Sequence, residues 1–232
     1  MENYMGTHAA QVFDKIYREQ GWHSSESVSG WGSELQNTRQ IVRELPGLLR
    51  RMGVTSVLDV PCGDFNWMRH VELGDIDYTG ADIVADLVKA NQVAYGAHHR
   101  TFIHLDLLRD RLPDCDLILC RDCLFHFSRA DVFHALERFA QTGARYLLST
   151  TFVYRSYPRN ADIETGQWTP VNLEMEPYRL GAPLELLIEG STECIAYGPD
   201  IGTVPMSDRC LGLWDMDNVR KRVHEQSSVQ QR

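Results

Sequence analysis

Apolar positions recur at two different periods along this chain, and the switch between them lays out the predicted elements. Residues 7–20 (THAAQVFDKIYREQ) place Ala9, Val12, Phe13, Ile16 and Tyr17 three and four apart, the spacing of one helix face, and Gly21 stops it. Residues 34–52 repeat that spacing through Leu35, Ile41, Val42, Leu45, Leu48 and Leu49, with Pro46 expected to bend or split the helix. Strands follow at TSVLDV (55–60), DIDYTGADI (75–83), RTFIHLDLL (100–108), DCDLILCRD (114–122) and ARYLLSTTFV (144–153). Helical stretches over 64–71, 84–97 and 129–142 separate them. Strands that are apolar on both faces and alternate with helices mark a parallel sheet wrapped on both sides. LELLIEG (184–190) and RCLGLWDM (209–216) read as two late strands, and VRKRVHEQSSVQQR as a polar tail that frays.

The first strand ends in an odd way. VLDVPCGDFNWM (57–68) carries Asp59 near the end of an apolar run and then breaks into Pro61, Cys62, Gly63 and Asp64. Ligands of doubly wound sheets sit beyond the carboxyl ends of the strands. Gly63 permits a tight turn and close backbone approach, and a helix N-terminus is expected after it. A dinucleotide site asks for G-x-G-x-x-G, but one glycine is present here and acids flank it, so a diphosphate would be repelled. An ammonium or sulfonium would be welcomed, and S-adenosylmethionine carries both. Asp82 ends the second strand, where an acid can hold ribose hydroxyls. Asp106 ends the third, placed for the adenine amino group, and Arg121 and Asp122 end the fourth. Each acid alone reads as a turn residue; four at successive strand ends form one constellation.

Composition narrows the partners. The 232 residues carry a formal net charge of −9, which lacks the basic stripe a nucleic acid demands. No apolar run reaches the length of a membrane span, and residues 1–20 hold no signal-peptide core, so a cytoplasmic protein with reduced thiols is expected. Cys120 and Cys123 form a C-x-x-C without a second ligand pair, so no metal site is expected.

VLDVPCGDFNWM, YTGADIV, FIHLDLL and CRDCLFHFS together resemble the class I S-adenosylmethionine-dependent methyltransferases in order and spacing. SESVSGWGSELQNTR and NADIETGQWTPVNLE are similar to a bacterial small-molecule subgroup of polysaccharide and specialised-metabolite pathways. The resemblance implies an α/β, doubly wound, mostly parallel seven-stranded sheet of Rossmann-like type whose last strand, near 209–216, runs antiparallel. It implies a single methyltransferase domain over 1–232: N-terminal helices and a covering loop over 1–52, the core over 53–216 with a lid insertion at about 151–183, and a tail over 217–232. Asp59, Pro61, Cys62 and Gly63 would then lie by the methionine moiety, Asp82 with Ile83 by the ribose and Asp106 with Leu107 by the adenine, with Arg121 also binding the cofactor and Asp122 catalytic, near the transfer centre. Pro61 and Phe65 replace two of the usual loop glycines, which leaves the close approach to Cys62-Gly63.

His126, four residues past Asp122, is the candidate base for deprotonating a hydroxyl acceptor, against the alternative that it packs on Phe125 and Phe127. His104, between apolar neighbours, reads as a satisfied core or interfacial residue. The long segment 151–174 offers Tyr154, Asp162, Glu164, Trp168 and Asn172 as substrate-binding residues of a lid. In the N-terminal loop Ser29 and Gly30 are candidates for the cofactor, Ser33 is expected to cap the following helix, and Trp22 and Trp67 to pack. The expected reaction is methyl transfer to a hydroxyl of a sugar or specialised metabolite. N-methylation of a cationic amine or guanidine is the alternative, motivated by Asp122, Asp162 and Glu164. Monomer and homodimer both remain open.

Overall fold

The computed structural model describes residues 8–153, 160–189, 194–197, 202–205 and 209–230. Its centre is a seven-stranded sheet of β1 (Ser56–Asp59), β2 (Asp77–Asp82), β3 (Arg100–His104), β4 (Leu117–Cys120), β5 (Tyr146–Phe152), β6 (Glu185–Ile188) and β9 (Arg209–Asp215). Their order across the sheet is β3-β2-β1-β4-β5-β9-β6. β1 to β5 pair in parallel, and β9 runs antiparallel between β5 and β6. β7 (Cys194–Tyr197) and β8 (Gly202–Pro205) form a separate antiparallel pair that the sequence pattern did not announce.

Alternate residues of the central strands feed two cores. Leu58, Ile118, Leu147 and Trp214 face α4 (Arg129–Ala140) and α5 (Met216–Gln230), through Val132, Leu136, Phe139 and Val219. Val57, Leu117, Leu148 and Leu213 face α2 (Leu35–Arg51), through Ile41, Leu45, Leu48 and Leu49. Both sides of the sheet are therefore covered, which is why its strands read as continuous apolar runs. β1 lies between β2 and β4, so the sheet reverses its order there and opens a crevice at the carboxyl ends. α1 (His8–Arg18) and α3 (Ala85–Tyr95) complete the helices. Among the described residues, no helix is long and apolar enough to cross a membrane.

Five local expectations need correction. Residues 64–71 form turns and one 3-10 turn, Met68–His70, in place of a helix, so no helix N-terminus faces the first loop. Phe65 sits at φ +59°, and that left-handed residue breaks any helical start. α2 passes through Pro46 unsplit, because four buried residues around the proline anchor it to the core. Its N-terminus is capped by Glu26, whose Oε1 accepts from Leu35 N at 2.8 Å, and Ser33, the last residue of the 3-10 turn Trp31–Ser33, does not cap it. His104 is exposed at the sheet edge, its Nε2 3.0 Å from the Ile83 carbonyl. The C-terminal tail is helix α5: Met216 and Val219 are fully buried, and Arg220 and Arg222 donate to the carbonyls of Thr142, Ala144, Pro177 and Tyr178.

Candidate active site

A cavity of about 320 Å³ opens at the carboxyl ends of β1, β2 and β4. Asp59, at the end of β1, is buried in its wall and accepts a 2.6 Å hydrogen bond from the Tyr78 hydroxyl. Burial pushes the Asp59 carboxyl up to about 7, against the Tyr78 hydrogen bond and the more distant Arg121 charge, which pull it down. Asp82, at the end of β2, accepts from Val84 N and Gly63 N, each at 3.0 Å. Burial outweighs those bonds, and its pKa too is raised.

Pro61, Cys62 and Gly63 form the wall between these acids, with Ile83 beside them. Burial holds the Cys62 thiol protonated, well above its ordinary pKa. Gly63 takes φ +54°, and the Ser29 hydroxyl occupies the place a Cβ would fill. That hydroxyl accepts from Asp64 N at 2.8 Å and donates to Asp64 Oδ1 at 3.2 Å, so the N-terminal loop is tied to the β1 loop. Gly30, at φ +92°, passes over Trp22, where an added Cβ would come within 2.8 Å of the Trp22 Cβ. The amides of the β1 loop are spent internally: Cys62 N on Ala81 O, Gly63 N on Asp82, Asp64 N on Ser29 and Phe65 N on Cys62 O. No nest of free N–H groups is left for a diphosphate. After β3, Asp106 accepts from Leu108 N at 3.0 Å, and Leu107 joins Val84, Leu87 and Leu105 in an apolar section of the wall.

At the end of β4 lies a cluster of four charges. Arg121 donates to both Glu189 oxygens, from Nε at 3.0 Å and from Nη2 at 2.9 Å, and its Nη2 also reaches the Gly32 carbonyl at 2.7 Å. Its Nη1 is 3.0 Å from Asp122 Oδ2. Arg209, the first residue of β9, closes the ring, with Nη1 3.2 Å from Asp122 Oδ2 and Nη2 2.5 Å from Glu189 Oε2. Side-chain exposures of 3, 17, 0 and 2 % for Arg121, Asp122, Glu189 and Arg209 place the whole ring away from water. Burial works to raise the Asp122 pKa, and the two guanidiniums overcome it, so the carboxyl stays below its ordinary range. Asp122 also sits at φ +51°, a conformation that costs a non-glycine residue about 1 kcal/mol or more. Thr150 holds it there, accepting from Asp122 N at 2.9 Å. Trp67 and Trp31 lie under the Arg121 and Arg209 guanidiniums, at 5.2 and 5.6 Å.

His126 completes the wall. Its Nδ1 is 2.9 Å from the Gln167 carbonyl; a carbonyl can only accept, so Nδ1 carries the proton and Nε2 keeps its lone pair. Burial pushes the imidazole down to about 4, against the Gln167 bond and Asp122, so it is neutral at physiological pH. Trp22 and Phe125 flank the ring, each with centroids 4.5 Å away. Trp168 also lines the cavity, on the far side of Phe125. Asp162, Glu164 and Asn172 do not. Asp162 accepts from Arg129 N at 2.8 Å at the start of α4, Glu164 N donates to Gln167, and Asn172 accepts from Glu174 N. Tyr154 lies outside the described residues. The sequence reading missed Arg209, Glu189 and Phe13 as site residues, and took Trp22 only as packing. An arginine heading the apolar run RCLGLWDM was the one visible signal.

No protein-family model matches the chain, and no curated protein matches it either. Solved structures do resemble it. Human N-acetylserotonin methyltransferase in complex with SAM superposes with a TM-score of 0.58 at 14% identity, over 90% of this chain and 60% of that one. Magnesium protoporphyrin IX methyltransferase from Synechocystis PCC 6803, with bound SAH, gives 0.55 at 13% identity, over 89% and 99%. The methyltransferase domain of bacterial CtHen1-C gives 0.53 at 13%, over 78% and 98%. The fold is that of the class I methyltransferases. This chain spans only 60% of the human enzyme's length.

Proposed function

We propose that the protein transfers a methyl group from S-adenosylmethionine to a hydroxyl of a small-molecule acceptor. The observation that carries this reading is a single cavity, walled at one end by Asp59 and Asp82 and at the other by a neutral histidine with a free lone pair. The fit to the cofactor rests on charge and shape. Asp59 and Asp82 are buried carboxyls with raised pKa, and a cationic ligand restores their charge. Solved neighbours crystallised with SAM and SAH support the same cofactor. Asp59, Cys62 and Gly63 would hold the methionine end, with the Ser29–Gly30 loop above it. Asp82 with Ile83 would take the ribose, and Asp106 with Leu107 the adenine.

When bound, the cofactor would supply an electrophilic methyl group for the lone pair of the acceptor oxygen. The protein's part is orientation, exclusion of water and one proton. His126 Nε2 takes the proton from the acceptor hydroxyl, while the Gln167 carbonyl fixes its tautomer and Trp22 and Phe125 fix its plane. A hydroxylated specialised metabolite fits this reading. N-methylation of a cationic acceptor draws less support, because Asp162 and Glu164 stand outside the cavity and Asp122 is already paired with two guanidiniums.

Calorimetric titration with S-adenosylhomocysteine, beside NADH, tests the reading. The first should bind, and Asp82→Ala should weaken it at least about ten-fold by freeing Gly63 N and Val84 N. Binding of NADH with none of S-adenosylhomocysteine would refute it.

A further inference from the structure

We infer that the acceptor is a phenol: one flat aromatic ring carrying the hydroxyl that receives the methyl group. This rests on the methyl-transfer reading and adds the class of acceptor. The acceptor end of the cavity is walled by rings. His126 is flanked by Trp22 and Phe125, Trp168 packs on Phe125 at 5.9 Å, and Phe13 packs on Phe127 at 5.9 Å. Phe13, Trp22, Phe127 and Trp168 all face the same space as His126. Stacked and edge-on contacts to a planar guest are what such a wall offers.

The polar side chains at that end are few, and Tyr17, one turn along the helix from Phe13, adds a hydroxyl to them. His126 Nε2 is one acceptor. The Asp122 carboxylate is taken by Arg121, Arg209 and Thr150, and Glu189 by the same two arginines. A sugar brings several hydroxyls, and each one buried without a partner costs roughly ten-fold in affinity. A phenol brings one, and Nε2 satisfies it. The charge balance points the same way, since the four-charge ring is neutral and leaves no carboxylate for a cationic acceptor.

Proton affinity separates the two hydroxyl classes further. A phenolic hydroxyl has a pKa of about 10, whereas an alkyl hydroxyl lies much nearer water's value of about 15.7. The imidazole sits at about 4 in its buried setting, a weak base. It can share a phenol's proton in the transition state far more readily than an alcohol's. The phenolic proton passes to Nε2 and leaves from there to solvent, while the oxygen keeps the pair that bonds the methyl carbon.

The test uses the whole chain saturated with S-adenosylhomocysteine, titrated separately with 4-methylphenol and with methyl α-glucopyranoside. The phenol should bind at least about ten-fold tighter than the glucoside. Trp22→Leu should weaken the phenol about five-fold while S-adenosylhomocysteine affinity stays within about two-fold. Phe13→Leu is the second variant if the first fails to fold. Equal or tighter binding of the glucoside, binding of neither compound, or insensitivity of the phenol to both variants would overturn the inference. Failure at the first step, with S-adenosylhomocysteine not bound, would instead remove the methyl-transfer reading on which it stands.

Discussion

Asp59 gives the sharpest quantitative prediction. Its carboxyl has an ordinary pKa of 3.8 and is raised to about 7 in the folded protein, chiefly by burial. Below the ordinary value both folded and unfolded chains are protonated at this site, and it costs nothing. Between the two values the unfolded chain is ionised and the folded chain is not, so folding takes up a proton and stability falls as pH rises. Above about 7 the loss is complete and the curve flattens. The slope is about 1.4 kcal/mol per pH unit, so the span from pH 5 to pH 7 carries about 3 kcal/mol.

Asp59→Asn removes this dependence and keeps an oxygen for the Tyr78 hydroxyl. The variant should gain stability over the native chain as pH rises, the difference growing by about 3 kcal/mol from pH 5 to pH 8. Urea unfolding of both proteins at pH 5, 6, 7 and 8 measures it. The comparison must be a difference between the two proteins. His126, lowered to about 4, has the opposite sign: its contribution is lost as pH falls below its ordinary 6.5, and it tilts both curves equally. S-adenosylhomocysteine, which carries an ammonium, should bind the native protein with proton release near pH 6 and the variant without it. A constant difference across pH, or a variant that loses ground as pH rises, would refute the reasoning.

His126→Gln should lower kcat by about 10²- to 10⁴-fold and leave S-adenosylhomocysteine affinity intact. In the native chain the acid limb of kcat should fall near pH 4, where the imidazole protonates, and a limb centred at 6.5 would contradict the burial argument. Arg209→Met leaves Asp122 and Glu189 sharing one guanidinium and should destabilise the chain by about 3–5 kcal/mol. Adding Glu189→Leu should recover much of that loss, read from denaturation midpoints.

The pattern of apolar runs revealed the sheet because strands covered on both faces cannot hide their composition: LILC and SVLD are buried nearly throughout. Strand ends were legible for the same reason, since an aspartate is conspicuous after such a run. The C-terminal helix escaped because its buried stripe is only Met216, Val219 and Val223, set among charges whose aliphatic stems and guanidiniums do the rest of the packing. Glu189 and Arg209 escaped for a different reason. Each lies at the end of a strand far along the chain from Arg121, and only the insertion of β9 between β5 and β6 brings them together. Trp22 was visible as a residue but not as a neighbour of His126, because a loop of glycines and serines carries no periodicity from which a contact follows.

What the sequence presents as a row of equivalent acids becomes, in the fold, two kinds of site. Asp59 and Asp82 are buried among apolar groups, hydroxyls and backbone amides, and their charged forms are disfavoured. Asp122, just as close to the end of its strand, is held ionised by two guanidiniums. A cation entering this cavity gains at the first pair and gains nothing at Asp122, whose charge is already matched. On the proposed function, the positive ligand therefore belongs between β1 and β2, and the end beside His126 is left for a neutral one. That division follows from where Arg121 and Arg209 sit. Exchanging either for a neutral residue should thus do more than destabilise the protein: it should free Asp122 to attract cations to the acceptor end.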